Sequence, residues 1–366
     1  MSILQKIALT KIKGIGPKLS RSLLSQLGAV DAIFEASKKT LQHIPGVGEV
    51  LANEILSKQA LLDAEKELAF IEKHRIAPLW WEDPNYPKRL ANCEDAPLIV
   101  YYKGSVSLNP PKVISVVGTR KATAYGRKMT ENLIRDLQHL DAHIISGLAY
   151  GIDVHAHTIA LKHQIPTIGV LGHGLDRIYP AAHRDIASDM IDCGGLITEF
   201  PSGTNPDRQN FPMRNRIIAG MADVTIVIEA AASGGALITA EIANSYNRDV
   251  CAVPGATDQE FSAGCNYLIK TNRAHLIRHA EDLCYLMNWE PDRPKVTNTQ
   301  FTLRLPKLTK DQQKVFQYIQ EREQATVDEI ALYCDWPQSK LAILLLEMEM
   351  EDLLISLPGK TYKLQQ

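Results

Sequence analysis

Three glycine-bearing turns carry the residue types most suited to chemistry in this chain. They are Val117-Gly118-Thr119-Arg120, Ser146-Gly147-Leu148-Ala149-Tyr150-Gly151-Ile152-Asp153 and Leu171-Gly172-His173-Gly174-Leu175-Asp176, each ending an apolar run where a helix is expected to begin. A strand that ends at glycine and opens a helix presents bare backbone N–H groups at the positive end of a helix dipole, and both features hold phosphate. Arg120 lies inside the first turn, and Arg214-Asn215-Arg216 starts a later helix. Arginine adds a fork of donors that fits phosphate and a plane on which a base can stack. Repetition in consecutive units predicts a groove that grips several phosphates of one polymer.

Such turns need a frame. From Lys112 onward, apolar strand-like runs (113–117, 143–146, 167–171, 195–198, 224–229, 250–253 and 275–277) alternate with helical stretches. That alternation predicts βαβ units: an α/β, Rossmann-like, mostly parallel sheet with helices on both faces. Ligands of such sheets bind beyond the carboxyl ends of the strands. Residues 118–120, 147–151, 172–176 and 204–216 are therefore expected along one rim. The first loop reads Gly-Thr-Arg-Lys-Ala-Thr-Ala-Tyr-Gly and lacks the GxGxxG fingerprint, so neither a nicotinamide nor a flavin is expected, and no other cofactor is.

Composition bounds the rest. The 366 residues are more than one core usually holds, which predicts two or three domains. Apolar residues at 45% and charged residues at 22% exclude a mainly disordered chain. The net charge of −2 hides an asymmetry: residues 1–60 hold eight Lys/Arg against four Asp/Glu, and residues 300–366 hold eight against ten. Six scattered cysteines without a CxxC pair read as small core residues in a reducing compartment. No run approaches the roughly 18 apolar residues of a membrane span, so the expectation is a soluble, cytoplasmic protein.

Residues 1–65 are expected to form a small helical domain. Ile12-Lys13-Gly14-Ile15-Gly16-Pro17-Lys18 and Ile44-Pro45-Gly46-Val47-Gly48-Glu49 repeat one pattern, each ahead of an apolar helical run. This resembles the paired helix-hairpin-helix module, which holds DNA backbones without reading sequence. Gly14, Gly16, Lys18, Gly46 and Gly48 are its candidate contacts; the alternative is two tight interhelical turns. The Rossmann-like core is placed at 66–287 and a proline-marked linker at 288–306. Residues 307–366 show three amphipathic stretches and then an apolar-polar alternation, an order that resembles a winged helix. Its third helix carries Lys340 against Glu347, Glu349, Glu351 and Asp352, which points to protein contact or regulation rather than DNA binding.

The central strings Tyr86-Pro87, Gly118-Thr119-Arg120, SGLAYGIDVHAH, GLDRIYP, FPMRNRIIAG, SGGALITAEIA and GCNYLI, in that order from about residue 80 to 285, resemble the DNA-processing protein A family, also called Smf. The resemblance implies a non-catalytic protein that binds and protects incoming single-stranded DNA, forms a homodimer around residues 264–279, and loads the RecA recombinase during natural transformation. It also implies DNA contacts at Arg120, Arg184, Arg214, Asn215 and Arg216, to which the glycine turns add Gly118, Thr119, Gly147 and Gly172 as candidate phosphate seats. For Arg120 an ion pair pinning the loop stays open, and for Arg214 and Arg216 a helix-start pair with Asp207 or Glu199. The family commonly has Asn where His183 stands here.

Two clusters raise catalysis. His155 and His157 follow Asp153, but residues two apart on a helix diverge and do not share a metal readily. Packing at the helix start, capped by Asp153, is the reading, and no metal is expected. Gly234-Gly235 with Glu241 keeps part of the PGGxGTxxE signature of nucleoside-monophosphate phosphoribohydrolases, with Leu237-Ile238 in place of Gly-Thr. A hydrolase using Glu241 is the alternative to the DNA binder.

Overall fold

The computed structural model describes residues 2–57, 59–289, 308–322, 324–351, 353–357 and 361–364. It divides into two compact units, Met1–Arg293 and Pro294–Gln366.

The first unit is built on a nine-stranded sheet. In chain order its strands are β1 (Ala77–Trp80), β2 (Ile99–Gly104), β3 (Lys112–Val117), β4 (Ala142–Ser146), β5 (Thr167–Val170), β6 (Gly194–Thr198), β7 (Val224–Val227), β8 (Asp249–Ala252) and β9 (His275–Leu276). Across the sheet the order is β1-β2-β6-β5-β4-β3-β7-β8-β9, and β3 through β9 run parallel. The seven expected strands are present. Two more, β1 and β2, join antiparallel ahead of Lys112, against each other and against β6.

Side-chain alternation along β3 shows why helices cover both faces. Val113 and Val117 enter one core with Ile217, Ile218 and Ala240, while Ile114 and Val116 enter another with Ile134 and Ala156. The first core is closed by the helices Asn210–Met221 and Gly235–Ser245, the second by Ala124–Asp136 and Ile152–Lys162. A strand buried on both faces needs apolar residues at successive positions, and β-branched ones suit the pleat.

The N-terminal helices share a core with the antiparallel edge, because Ile7, Leu23, Ile33 and Ile55 pack with Trp80, Ile99 and Tyr101. Helix Gln59–His74 lies along helix Ile3–Lys11, and the expected domain division at 65/66 falls inside it. Each hairpin turns at a glycine in the left-handed region, Gly14 (φ 86°) and Gly46 (φ 91°). The two hairpins pack reciprocally: a Cβ on Gly14 would lie 3.6 Å from Leu51, and one on Gly46 3.3 Å from Leu19.

Of the expected linker, residues 290–306 lie outside the described residues. The second unit has helices Lys310–Arg322, Val327–Cys334 and Gln338–Met350, then a β-hairpin, Leu354–Leu357 with Thr361–Leu364. A short strand, Gln324–Thr326, completes a three-stranded sheet, and the architecture is a winged helix. Cys93, Cys251, Cys265 and Cys334 are buried as expected, whereas Cys193 is exposed. Among the described residues no helix is long and apolar enough to cross a membrane.

Candidate nucleic-acid interface

Strand order reverses at β3, which has β4 on one side and β7 on the other. Chain continuity carries the loops after β3 and β7 apart and leaves a crevice beyond their carboxyl ends. A cavity of about 760 Å³ opens there. Its walls come from Val117–Arg120 after β3, Ala230–Thr239 after β7, and the start of helix Asn210–Met221.

The glycine turns after β3 and β4 are not free phosphate seats, because the protein's own carboxylates fill them. Glu229 is 3% exposed and accepts from the Thr123 backbone N–H (3.0 Å) and hydroxyl (2.5 Å), at the N-terminus of helix Ala124–Asp136. Asp153 is buried in the first turn of helix Ile152–Lys162 and accepts from the Gly147 N–H at 3.2 Å. The Ile152 N–H donates to the Thr119 carbonyl, and the Thr119 N–H to the Glu229 carbonyl. Glycine is required here for close approach. A Cβ on Gly118 would fall 2.5 Å from Ile152, and one on Gly151 (φ 82°) 2.2 Å from the Thr119 oxygen. After β5 the chain opens no helix at Gly172; it runs on to a short 3₁₀ turn at Ala181–His183. Gly172 is buried beneath Phe211, 3.1 Å from where its Cβ would lie.

Arg214-Asn215-Arg216 forms an internal truss. Arg214 is 4% exposed, and its Nη1 donates to the carbonyls of Gly147 and Val170, tying together the ends of β4 and β5. Burial lowers its pKa to about 10, and the Asp153 charge opposes that shift. Burial likewise raises the Asp153 pKa, with Arg214 opposing. A Cβ on Gly147 would lie 2.6 Å from both Arg214 Nη2 and Asp153 Oδ2. Asn215 accepts from Arg214 Nε at 3.2 Å and donates to the Gly235 carbonyl at 3.3 Å. Arg216 is paired with Glu199, just after β6, and donates to the Asp95 carbonyl. Arg214 and Asn215 line the cavity, but the guanidinium groups of Arg214 and Arg216 are engaged by carbonyls of the rim and, for Arg216, by Glu199.

The open helix terminus is a different one. Helix Gly235–Ser245 begins after Ser233-Gly234 with no side-chain cap, and these residues line the cavity. Its first N–H groups have no intrahelical acceptors. A Cβ would meet nothing within 4 Å at Gly234 and only Asn215 Nδ2, 3.8 Å away, at Gly235. Opposite stands Phe211, with the Arg120 guanidinium 5.7 Å and the Arg214 guanidinium 6.0 Å from its ring centre, and the Tyr179 ring 6.0 Å away. Arg120, Arg208 and Tyr179 are exposed and line the same cavity. Tyr179, Arg208 and Phe211 had no assigned contact role in the sequence, although Phe211 stands three residues before Arg214; Gly234-Gly235 entered there only as part of the phosphoribohydrolase signature.

Comparison with known proteins decides the family. The model of the DNA recombination-mediator protein A family matches residues 77–288, a helix-hairpin-helix tandem model matches 6–58, and a winged-helix model from the same proteins matches 301–360. This chain belongs to the DNA recombination-mediator protein A family. The Smf protein of Synechocystis is 35% identical over 273 residues, covering 72% of this chain and 67% of that protein. DNA processing protein A of Streptococcus pneumoniae superposes with a TM-score of 0.65 at 31% identity, covering 78% of this chain and 98% of that one. DNA processing protein A of Helicobacter pylori, described for its single-stranded DNA binding mode, superposes at 0.53 with 26% identity, covering 58% and 96%.

The remaining candidate residues lie elsewhere in this recombination-mediator fold. Arg184 is exposed at the start of helix Arg184–Cys193 and does not line the cavity. His183 is buried, with Nδ1 2.9 Å from the Leu148 carbonyl oxygen and its ring against Tyr150, so that nitrogen is not offered to a phosphate. His157 is buried with Nδ1 2.7 Å from the Thr167 hydroxyl; burial lowers its pKa to about 3. His155 lies against the Arg127 carbonyl, and no metal-ligand cluster occurs among the described residues. Glu241 is ion-paired with Arg273; it is outside the wall of that cavity but lines an adjoining one with Ser233 and Gly234. In the hairpins, Gly16 and Gly48 precede open helix termini, but Lys18 pairs with Glu94 at 2.6 Å and Glu49 occupies the first position of the second helix.

Proposed function

We propose that the chain binds single-stranded DNA across the cavity between β3 and β7. The observation that carries this reading is the exposed Arg120 above Phe211, facing the uncapped helix terminus at Gly234-Gly235 across a cavity large enough for a nucleotide. A phosphate at that terminus meets free N–H groups and the positive dipole end. A base stacks on Phe211 or Tyr179, a contact worth about 1–3 kcal/mol and tolerant of sequence. Arg120, Arg208 and Arg184 hold flanking phosphates, while Thr119, Gly118, Gly147, Gly172, Arg214, Asn215 and Arg216 keep the rim in shape. The Gly14-Gly16 hairpin adds a second backbone contact.

Dimerisation belongs to the same reading. Strand β9 leaves one edge of the sheet unpaired among the described residues, and Tyr267, Leu276 and Tyr285 are exposed around it. Two rims then share one strand, and the strand-bound dimer protects it and passes it to the RecA recombinase in the cytoplasm, without catalysis. Fluorescence anisotropy of a labelled oligothymidine across a salt series tests the binding step. Affinity falls steeply with salt as counterions are released, and Arg120→Ala weakens it. Salt-independent binding, or full affinity in Arg120→Ala, overturns the reading. Incubation with AMP tests the hydrolase alternative, in which Glu241→Ala abolishes release of free base.

A further inference from the structure

We infer that the winged-helix unit carries a second single-stranded nucleic-acid site, formed by a strip of cations and aromatic rings that runs from its first helix to the start of its third. Lys310, Lys314, Tyr318 and Arg322 recur every four residues along helix Lys310–Arg322, so they share one face. Tyr333 and Trp336, at the end of the next helix and in the turn after it, extend that face, and Lys340 closes it. Tyr318 and Tyr333 stack with ring centres 4.2 Å apart. The Arg322 guanidinium lies 4.4 Å from the Tyr318 ring centre, and Lys314 Nζ is 5.7 Å from Tyr333 and 5.5 Å from Trp336. Lys340 Nζ is 4.2 Å from Trp336.

Cations set between rings are what a single strand requires, phosphates for the cations and π-faces for its bases. From Lys314 to Arg322 the helix advances about 12 Å, the span of roughly two nucleotides. Tyr333 is 51% exposed, Trp336 is half-buried, and Lys314, Arg322 and Lys340 are exposed; Tyr318 is 6% exposed and backs Tyr333 from within, so Tyr333 and Trp336 are the rings a base can reach. Among the acidic residues, Asp311 pairs with Lys340 at 2.8 Å. Glu347, Glu349 and Glu351 stand at the far end of helix Gln338–Met350 and just past it, about 10–16 Å along its axis from Lys340, and Glu351 accepts from the Gln312 side chain of the first helix at 3.1 Å. The acidic third helix pointed to a protein-contact role for this unit; the strip meets that helix only in its first turn, at Lys340, and the carboxylates within the strip are Asp311, paired with Lys340, and Asp335. A peptide could also use rings and cations, and the same unit exposes Leu332, Ile343 and Leu346; the cations set beside Tyr333 and Trp336 favour a stacked polyanion.

The test uses the full chain and oligothymidine carrying 5-iododeoxyuridine, which photocrosslinks to aromatic side chains in contact with the base. A crosslink on the peptide containing Tyr333 or Trp336 is expected. Lys314→Gln, Arg322→Gln and Lys340→Gln together keep the aromatic packing, and should lower the salt slope by about 2, since each cation lost removes roughly 0.7. The same triple substitution in an Arg120→Ala background should weaken binding further than Arg120→Ala alone. If Arg120→Ala alone changes nothing while the triple substitution acts, the core reading fails and the strip stands. Absence of a crosslink at Tyr333 and Trp336 in the natural chain, with others found in the core, overturns the strip, as does an unchanged salt slope.

Discussion

The turn after β3 and the turn after β7 face each other across the same cavity, and they use glycine for opposite purposes. After β3, Gly118 lets the backbone approach Ile152, and the following helix is capped by the Thr123 hydroxyl, which the buried Glu229 carboxylate holds in place. After β7, Gly234 and Gly235 stand in open space, and the following helix has no cap. A glycine at a strand-helix turn therefore marks close approach or free N–H groups, and only the neighbours tell which. The anion that a helix start attracts is supplied by the protein itself in the first case, and no side chain caps the helix in the second.

Changes to the filled side should act on stability. Arg214→Ala leaves the Gly147 and Val170 carbonyls without their donor and Asp153 without the neighbouring charge, and should cost about 3–5 kcal/mol in urea unfolding. A cost below about 1 kcal/mol would show that the truss is not what holds the filled side.

His157 makes the same side sensitive to acid. Its pKa is about 3 in the folded protein against the ordinary 6.5. The unfolded chain therefore binds a proton that the folded one refuses, and stability falls as pH drops from 6.5 towards 3. The slope is about 1.4 kcal/mol per pH unit for one proton. His157→Gln should remove that contribution, and urea unfolding of both proteins at pH 7 and pH 5 measures it.

Changes to the open side should act on binding. Gly235→Asp places a negative charge at the free helix terminus, where no atom obstructs it. It should weaken oligothymidine binding about tenfold, while stability changes by no more than about 1 kcal/mol. Equal binding by Gly235→Asp would mean that no phosphate sits there.

Arg120→Ala is the mildest expected change to the fold, below about 0.5 kcal/mol, because the side chain is exposed and its contact is a cation over a ring. A weaker anisotropy signal with an unshifted melting curve separates contact from support; loss of both would place Arg120 with the truss.

Much of the fold was legible from pattern. Runs such as 113–117 and 224–229 are apolar at successive positions because strands covered on both faces bury every side chain. Strands β1 and β2 escaped notice because Pro78 and the loop between them break the alternation and only the antiparallel partner restores it. The hairpins were legible because Gly14 and Gly46 adopt a backbone conformation that side chains disfavour. Of the site, Arg120 could be read from its place in the first turn. The fate of Arg214 could not, since its partners are carbonyls of residues 44 and 67 positions away.

The sequence by itself determined the strand-helix order, the glycines at the strand ends and the family, because these depend on local periodicity, backbone freedom and residue strings. Tertiary structure alone decided which glycine turn is open. A helix start binds a ligand only if its N–H groups lack internal acceptors, and whether Glu229 or Asp153 supplies one depends on how distant strands pack together. It also decided that two of the three residues in Arg214-Asn215-Arg216 brace the rim from within, since a buried guanidinium is stable only where the carbonyls and carboxylates of other strands converge on it.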